Sequence, residues 1–234
     1  QIQIEGSPIH PQLNGIVKLE KGVLKIAELQ DPITNVKAVI RMVNEDIYFD
    51  EAVGYIEKGK ITARGNIKVK DIETFAYDLT VNGKDLPFTF EDVDLSGVAN
   101  LSLTITGESP PLVSGQIAIR EASYLEPFGS SSGSGYYASQ VPAHPEALWN
   151  WDFSVIALNN LWVINSDLRA EFGGEVLVTR QEGELRLLGS LQVLRGKYFL
   201  PGTTFNIKEG ELIFDNIEKI DPKLHFLVST SVLA

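Results

Sequence analysis

The chain has 234 residues, 44% of them hydrophobic, with a formal net charge of −11 and no cysteine. This length allows one large or two smaller β domains with a core, and the hydrophobic content argues against global disorder. The acidic balance argues against a nucleic-acid partner, which would reward clusters of Lys and Arg. Without cysteine, neither a disulfide nor a thiolate metal site can hold the fold.

A five-residue unit recurs along the chain: a glycine, a variable residue, an apolar residue, a variable residue and a second apolar residue. Successive side chains of a β-strand point to opposite faces, so the glycine and both apolar residues share one face. The repeat therefore predicts strands of five to seven residues, each with one apolar face. Copies begin at Gly15, Gly22, Gly59, Gly65, Gly97, Gly115, Gly174, Gly183, Gly189 and Gly210.

In chain order, apolar and variable residues alternate over residues 35–43, 59–69 and 75–81. Asn82-Gly83 follows directly and is a strong hairpin signal. Helices are predicted only as short candidates at residues 71–75 and 144–151, below the length of a stable independent helix. These patterns predict an all-β chain of about 14 to 18 short strands, mostly antiparallel because tight turns cannot join parallel neighbours.

Residues 126–137 have the Ser/Gly composition of a flexible linker, native or engineered. They divide the chain into a first β segment, 1–125, and a second, 138–234. Gly129 to Gly133 match the Gly-x-Ser-x-Gly pattern, but a Ser/Gly run lacks the strand-turn-helix setting of a nucleophile elbow. The three histidines at positions 10, 144 and 225 lie far apart in sequence. We therefore predict no enzyme, with no catalytic, metal or cofactor site.

The apolar faces need a cover. One possibility is that the sheet folds on itself as a sandwich or closed barrel; another is an open trough whose apolar inside is filled by something else. A transmembrane barrel would also alternate, but it calls for strands of about 9 to 11 residues and aromatic girdles. A glycan-processing β-solenoid would need clustered carboxylates, and core packing explains Trp149, Trp151 and Trp162 more simply.

The second segment carries a more specific pattern. Residues 189–198 read Gly-Ser-Leu-Gln-Val-Leu-Arg-Gly-Lys-Tyr, followed by Pro-Gly-Thr-Thr-Phe-Asn-Ile from Pro201, Glu-Gly-Glu-Leu-Ile-Phe from Glu209 and Asp-Pro-Lys-Leu from Asp221. In this order and spacing they resemble the C-terminal domain of TamB-like proteins. Residues 174–228 hold the specific part of the resemblance, and residues 1–125 resemble the preceding part of such proteins.

The resemblance implies an elongated, curved sheet shaped like a taco, a trough with an apolar interior. It implies a large cell-envelope protein in the periplasm, anchored in the inner membrane by a segment absent here, and the first residue, Gln1, fits a piece of a longer protein. The implied function is a bridge-like conduit for phospholipid acyl chains between inner and outer membrane. The alternative is a chaperone or template for outer-membrane β-barrel assembly, working with a TamA- or BamA-like barrel protein through strand addition.

On this hypothesis the apolar residues of the recurring units line the lipid groove. In the first segment we expect this role for Ile61, Ile67, Val69, Leu101, Leu103, Ile105, Ile117 and Ile119. In the second segment we expect it for Leu185, Leu187, Leu191, Val193, Phe205, Ile207, Leu212, Phe214, Phe226 and Val228. A β-bulge at a glycine would reverse this face assignment locally.

Overall fold

The computed structural model describes residues 2–7, 10–26, 31–71, 73–90, 94–126, 149–216 and 222–230. Over these residues the chain is all β and contains no helix. Thirteen strands form one curved, open sheet in which spatial order equals chain order. The strands are β1 (Ile2–Ser7), β2 (His10–Leu24), β3 (Ile33–Asn44), β4 (Asp46–Ile56), β5 (Gly59–Val69), β6 (Phe75–Phe90), β7 (Leu95–Glu108), β8 (Leu112–Tyr124), β9 (Asn150–Ile164), β10 (Leu168–Gln181), β11 (Glu184–Leu200), β12 (Thr203–Phe214) and β13 (Lys223–Ser229).

The strands are longer than the glycine units predicted. Most have 11 to 17 residues because consecutive units lie within one strand, as Gly59 and Gly65 do in β5. The predicted hairpin at Asn82-Gly83 is wrong for the same reason, since both residues are inside β6. Leu86 and Leu101 occupy the space that a side chain at position 83 would fill. These glycines make room for neighbouring groups and do not end strands.

Neither helix prediction is supported in the described part of the chain. In the first candidate, of which residue 72 lies outside the described residues, Asp71 Oδ1 accepts hydrogen bonds of 2.8 Å from the backbone N–H groups of Glu73 and Thr74, and Phe75 already begins β6. Of the second candidate, residues 144–148 lie outside the described residues, and Asn150 and Trp151 begin β9. The all-β prediction is confirmed.

One pair of neighbouring strands is parallel. Eleven of the twelve neighbouring pairs are antiparallel, as predicted, but β8 and β9 run in the same direction. A parallel neighbour requires a crossover about as long as the strand itself, and residues 125–149 supply that length. The predicted linker falls in this connection, and all of it but Glu126 lies outside the described residues. The division into two segments stays a prediction, and the sheet itself continues from β8 to β9.

β-Bulges bend the strands and reset which residues face inward. Register shifts interrupt nine of the twelve neighbouring pairs. In β11, odd-numbered residues up to Val193 share a face with Gly196 and Tyr198, because the extra residue Leu194 has no partner in β10. An extra residue in one strand bends it and raises its twist. The bulges thus curve the sheet and keep its apolar side chains on one side.

Candidate functional site

The apolar face of the sheet, here called the inner face, is continuous from strand to strand. Residues paired directly across a ladder point to the same side. One row of such partners runs from β5 to β12 through Ile61, Gly83, Leu101, Ile117, Val155, Val176, Gly189 and Phe214. The recurring glycine units therefore align across neighbouring strands.

The register places all eighteen residues of the predicted groove on this inner face. In the first segment these are Ile61, Ile67, Val69, Leu101, Leu103, Ile105, Ile117 and Ile119. In the second they are Leu185, Leu187, Leu191, Val193, Phe205, Ile207, Leu212, Phe214, Phe226 and Val228. Val69 and Ile207 are buried, and the other sixteen are half-buried. Their lipid-lining role stays a prediction.

Two clusters on the inner face contain buried residues that were not part of that prediction. One consists of Leu168, Ala170 and Phe172 with Ile207, packed against Leu191 and its neighbours. The other consists of Ile33, Ile56 and Leu86, packed against Val36, Ile61 and Leu101. The alternation of residues 168, 170 and 172 was visible in the sequence. It continues through Gly174 and Val176 on the same face, but no glycine precedes Leu168 at the spacing of the recurring unit, so residues 168–172 did not match the glycine units.

No second layer covers the inner face among the described residues. Extensive contacts between strands occur only between neighbours in the sheet, and β1 does not pair with β13. The predicted alternative of a sandwich is therefore wrong. Only 14 apolar residues are buried in the described chain. The rest of the inner face is shielded by its own neighbours and stays partly open to solvent.

At one rim of the trough the inner face becomes aromatic. The aromatic rim consists of Phe75, Tyr77, Trp149, Trp151 and Phe153. Ring centroids are 6.4 Å apart for Phe75 and Tyr77, 5.8 Å for Tyr77 and Trp149, and 5.8 Å for Trp151 and Phe153. Tyr and Trp combine a large apolar surface with one polar group, which suits a boundary between apolar material and water.

Arg180 lies beside the aromatic rim, one residue before the end of β10. Its guanidinium carbon is 3.5 Å from the centre of the Trp151 ring, and its Nε donates a 2.9 Å hydrogen bond to the Trp149 carbonyl oxygen. The register pairs Arg180 with Trp151 and with Leu185, both on the inner face. Among the described strands, Arg180 is the one charged side chain that the register places on this face.

The described residues hold no group of three or more His, Asp or Glu side chains that could bind a metal ion. They also include no helix long and apolar enough to cross a membrane.

The family model described as TamB C-terminal domain matches residues 51–234, more than three quarters of the chain. The chain belongs to the TamB family. No curated protein matches it. TamB proteins form a cell-envelope family of transport and assembly proteins.

Residues 195–198, Arg-Gly-Lys-Tyr, belong to the sequence pattern that resembles TamB proteins, here called the TamB step. Its arginine, glycine and tyrosine each have an identifiable packing role. The Arg195 Nε donates a 2.5 Å hydrogen bond to Oε2 of Glu171, and its guanidinium lies over the Trp162 ring. A Cβ on Gly196 would lie only 2.5 Å from the Cβ of Ala170. Tyr198 packs against the buried cluster of β10. The contacts of the TamB step thus hold β11 against β10 next to the bulge in β11.

Glu171, the β10 residue that accepts the hydrogen bond from Arg195, is a buried carboxylate with 4% of its surface exposed. The Asn160 backbone N–H donates a 2.8 Å hydrogen bond to Glu171 Oε1 and, together with Arg195, holds the pKa of Glu171 below its ordinary value of 4.5. Because this pKa is lower in the folded than in the unfolded state, the ionised carboxylate stabilises the folded protein at pH values above the unfolded-state pKa. The stabilisation is lost as the pH falls through the folded-state pKa.

We expect Glu171→Gln to lower stability at pH 7 and to flatten its pH dependence. The wild-type urea midpoint should fall as pH drops below about 4.5, and the variant should fall less because it has no carboxylate to protonate. Urea titration at pH 7 and pH 3.5, followed by circular dichroism, measures both effects. Glu175→Gln, an exposed position on the same strand, is the matched control. Parallel wild-type and Glu171→Gln curves would contradict this assignment.

Proposed function

We propose that this TamB domain is a conduit segment whose inner face carries phospholipid acyl chains between the inner and outer membranes. The observation that carries the proposal is an apolar face that crosses thirteen strands and has no covering layer among the described residues. At about 4.8 Å per strand, the face is on the order of 60 Å long. Such a surface in water favours an apolar occupant.

The energetics suit acyl chains. Each methylene moved out of water contributes about 0.8 kcal/mol, so a chain of about fifteen methylenes gains on the order of 10 kcal/mol when fully covered. Over the described strands the inner face offers mostly aliphatic and aromatic side chains, so a chain can slide along it without breaking many specific bonds. In this proposal the full-length protein is periplasmic and anchored in the inner membrane, and a TamA- or BamA-like barrel protein is its outer-membrane partner.

Native mass spectrometry of the purified protein, followed by lipid extraction, tests the conduit. We expect co-purified phospholipid on the wild type and at least tenfold less on Leu191→Asp or Phe214→Asp, because a carboxylate on the inner face must be desolvated beside the chains. Leu227→Asp is the matched control, since Leu227 is 57% exposed and lies next to the inward Phe226 on β13. A lipid-free wild type would refute the conduit.

A second candidate function is favoured by the open ends of the sheet. Within the described residues, β1 pairs only with β2, and β13 only with β12. A free edge can add a strand from a client protein, which is how a chaperone or template for outer-membrane barrels would work. Proline on the edge, as in Leu227→Pro, should impair client binding and leave lipid retention unchanged. Lost lipid with intact client binding would count against the template.

A further inference from the structure

The β-bulges of β6 to β11 lie close to one line that crosses the sheet, here called the bulge line. Register shifts place extra residues in β6 at residues 84–85, in β8 at Arg120, in β9 at residues 158–160 and in β11 at Leu194. All of them lie within three residues of one row of directly paired partners, which consists of Leu86, Ala99, Ile119, Ala157, Gly174 and Leu191. Because an extra residue bends its strand, the bulge line divides these strands into two arms, which form the two walls of the trough.

Arginine–carboxylate pairs bridge the bulge line on the outer face, the side of the sheet opposite the inner face. Arg120 Nη1 donates a 2.5 Å hydrogen bond to Oδ1 of Asp85, so the extra residues of β6 and β8 bind each other. On β10, Glu171 Oε1 accepts a hydrogen bond from the Asn160 N–H in the bulge of β9, and its Oε2 accepts one from Arg195, which directly follows the bulge of β11. One carboxylate thus contacts the bulges of both neighbouring strands.

Burial distinguishes the Glu171 contacts from the other pair. The side chains of Arg120 and Asp85 are 53% and 45% exposed, and an ion pair so open to water contributes little to stability. The Glu171 side chain is only 5% exposed, so its partners cannot be replaced by water without rearrangement. Asn160 also has a φ of +58°, a conformation that is uncommon outside glycine and that a hydrogen bond to its N–H helps to hold.

We propose that Glu171 is a clamp that fixes the angle between the two walls of the trough and so sets the width available to acyl chains. Only the consequence for acyl chains rests on the conduit proposed above, since the clamp itself concerns the shape of the sheet. Without this carboxylate, the bulge of β9 loses its contact at the Asn160 N–H and the bulge of β11 loses its link to β10. No second layer among the described residues holds the walls in place instead.

The distance between the two walls tests the clamp. The chain has no cysteine, so spin labels can be attached at two introduced cysteines alone. Glu184→Cys and Thr204→Cys place the labels at exposed positions near opposite ends of β11. In this background, Glu171→Gln should lengthen the distance measured by double electron–electron resonance by about 6 Å, because opening the bend by about 10° moves the end of a ten-residue arm by that amount.

Matched variants keep this test decisive. Glu175→Gln, exposed on the same strand, and Arg195→Lys, which keeps a cation beside Glu171, should preserve the wild-type distance. Arg195→Met should lengthen it, and because Arg195 is 70% exposed this variant serves where Glu171→Gln fails to fold. Circular dichroism identifies the folded samples. An unchanged distance in folded Glu171→Gln or folded Arg195→Met would show that Glu171 supports stability alone, and the clamp would be overturned.

Lipid retention separates the clamp from the conduit. After equilibration with vesicles of phosphatidylethanolamine and phosphatidylglycerol, folded Glu171→Gln should retain at least about threefold less phospholipid than the wild type, because chains between wider walls contact less apolar surface. A wild type without phospholipid, together with a longer distance in Glu171→Gln, would refute the conduit and leave the clamp standing. A longer distance with undiminished phospholipid would overturn the proposed link between trough width and lipid binding.

Discussion

Gly65→Ala should lower the free energy of unfolding by about 3 kcal/mol or more, among the largest single-residue effects in this chain. Gly65 lies mid-strand in β5 with a φ of +132°, and a Cβ there would overlap the carbonyl oxygen of Asp78 on β6. An alanine therefore meets both an unfavourable backbone conformation and a rigid neighbouring backbone, and β6 has to move away. Urea unfolding followed by circular dichroism measures the loss.

Gly107→Ala is the matched control for this prediction. Gly107 also has a positive φ, +93°, but a Cβ there would meet no atom within 4 Å. Only the backbone preference of a non-glycine residue is then unfavourable, about 1 to 2 kcal/mol. If the two variants were equally stable, close approach of the strands at Gly65 would not be the reason for a glycine at that position.

Phe172→Ala should destabilise the protein by about 3 to 5 kcal/mol, because it empties the centre of the cluster on β10. Phe172 is 2% exposed, and Leu168, Ala170 and Ile207 surround it. An open sheet has few such positions, so each one matters more than in a sandwich with a thick core. The loss should be seen as a lower urea midpoint, with the remaining signal still characteristic of β structure.

Leu158→Ala provides the contrast on the adjacent strand. Its side chain is 81% exposed, so truncation should change stability by less than about 0.5 kcal/mol. A loss at Leu158 comparable to that at Phe172 would show that truncating any leucine or phenylalanine harms this sheet, and the argument from the buried cluster would fail.

The inner face could be predicted from sequence because alternation is local. Leu191 and Val193 lie on one side of a bulge in β11, Phe205 and Ile207 precede the bulge in β12, and each stretch shows its own period of two. Side-chain orientation follows from that period without knowledge of the neighbouring strand. For this reason the glycine units were sufficient to predict which residues share a face. Only the register shows which face of each strand is the inner one.

The strand lengths and the parallel pair could not be predicted in the same way. Asn82-Gly83 has the chemistry of a hairpin, and only the packing of Leu86 and Leu101 explains why the chain continues straight. A parallel neighbour such as β8 and β9 depends on contacts between distant residues. Arg180 was missed because a charged residue in an alternating strand suggests a solvent-facing position. Its pairing with Trp151 depends on the β9–β10 register.

At the bulge in β11, the identity of residue 194 and its presence in the chain have different structural consequences. Leu194 is 51% exposed, so its chemical identity contributes little to packing. Its presence, however, sets the bend of β11: without Leu194, Arg195 would follow Val193 directly, and regular alternation would leave Gly196 and Tyr198 inward as before, but the bulge that bends the strand and raises its twist would be lost. At such a position many substitutions change little, whereas a deletion removes the bend without exposing the apolar face. The number of residues there determines the curvature, and the chemistry of residue 194 contributes almost nothing to it.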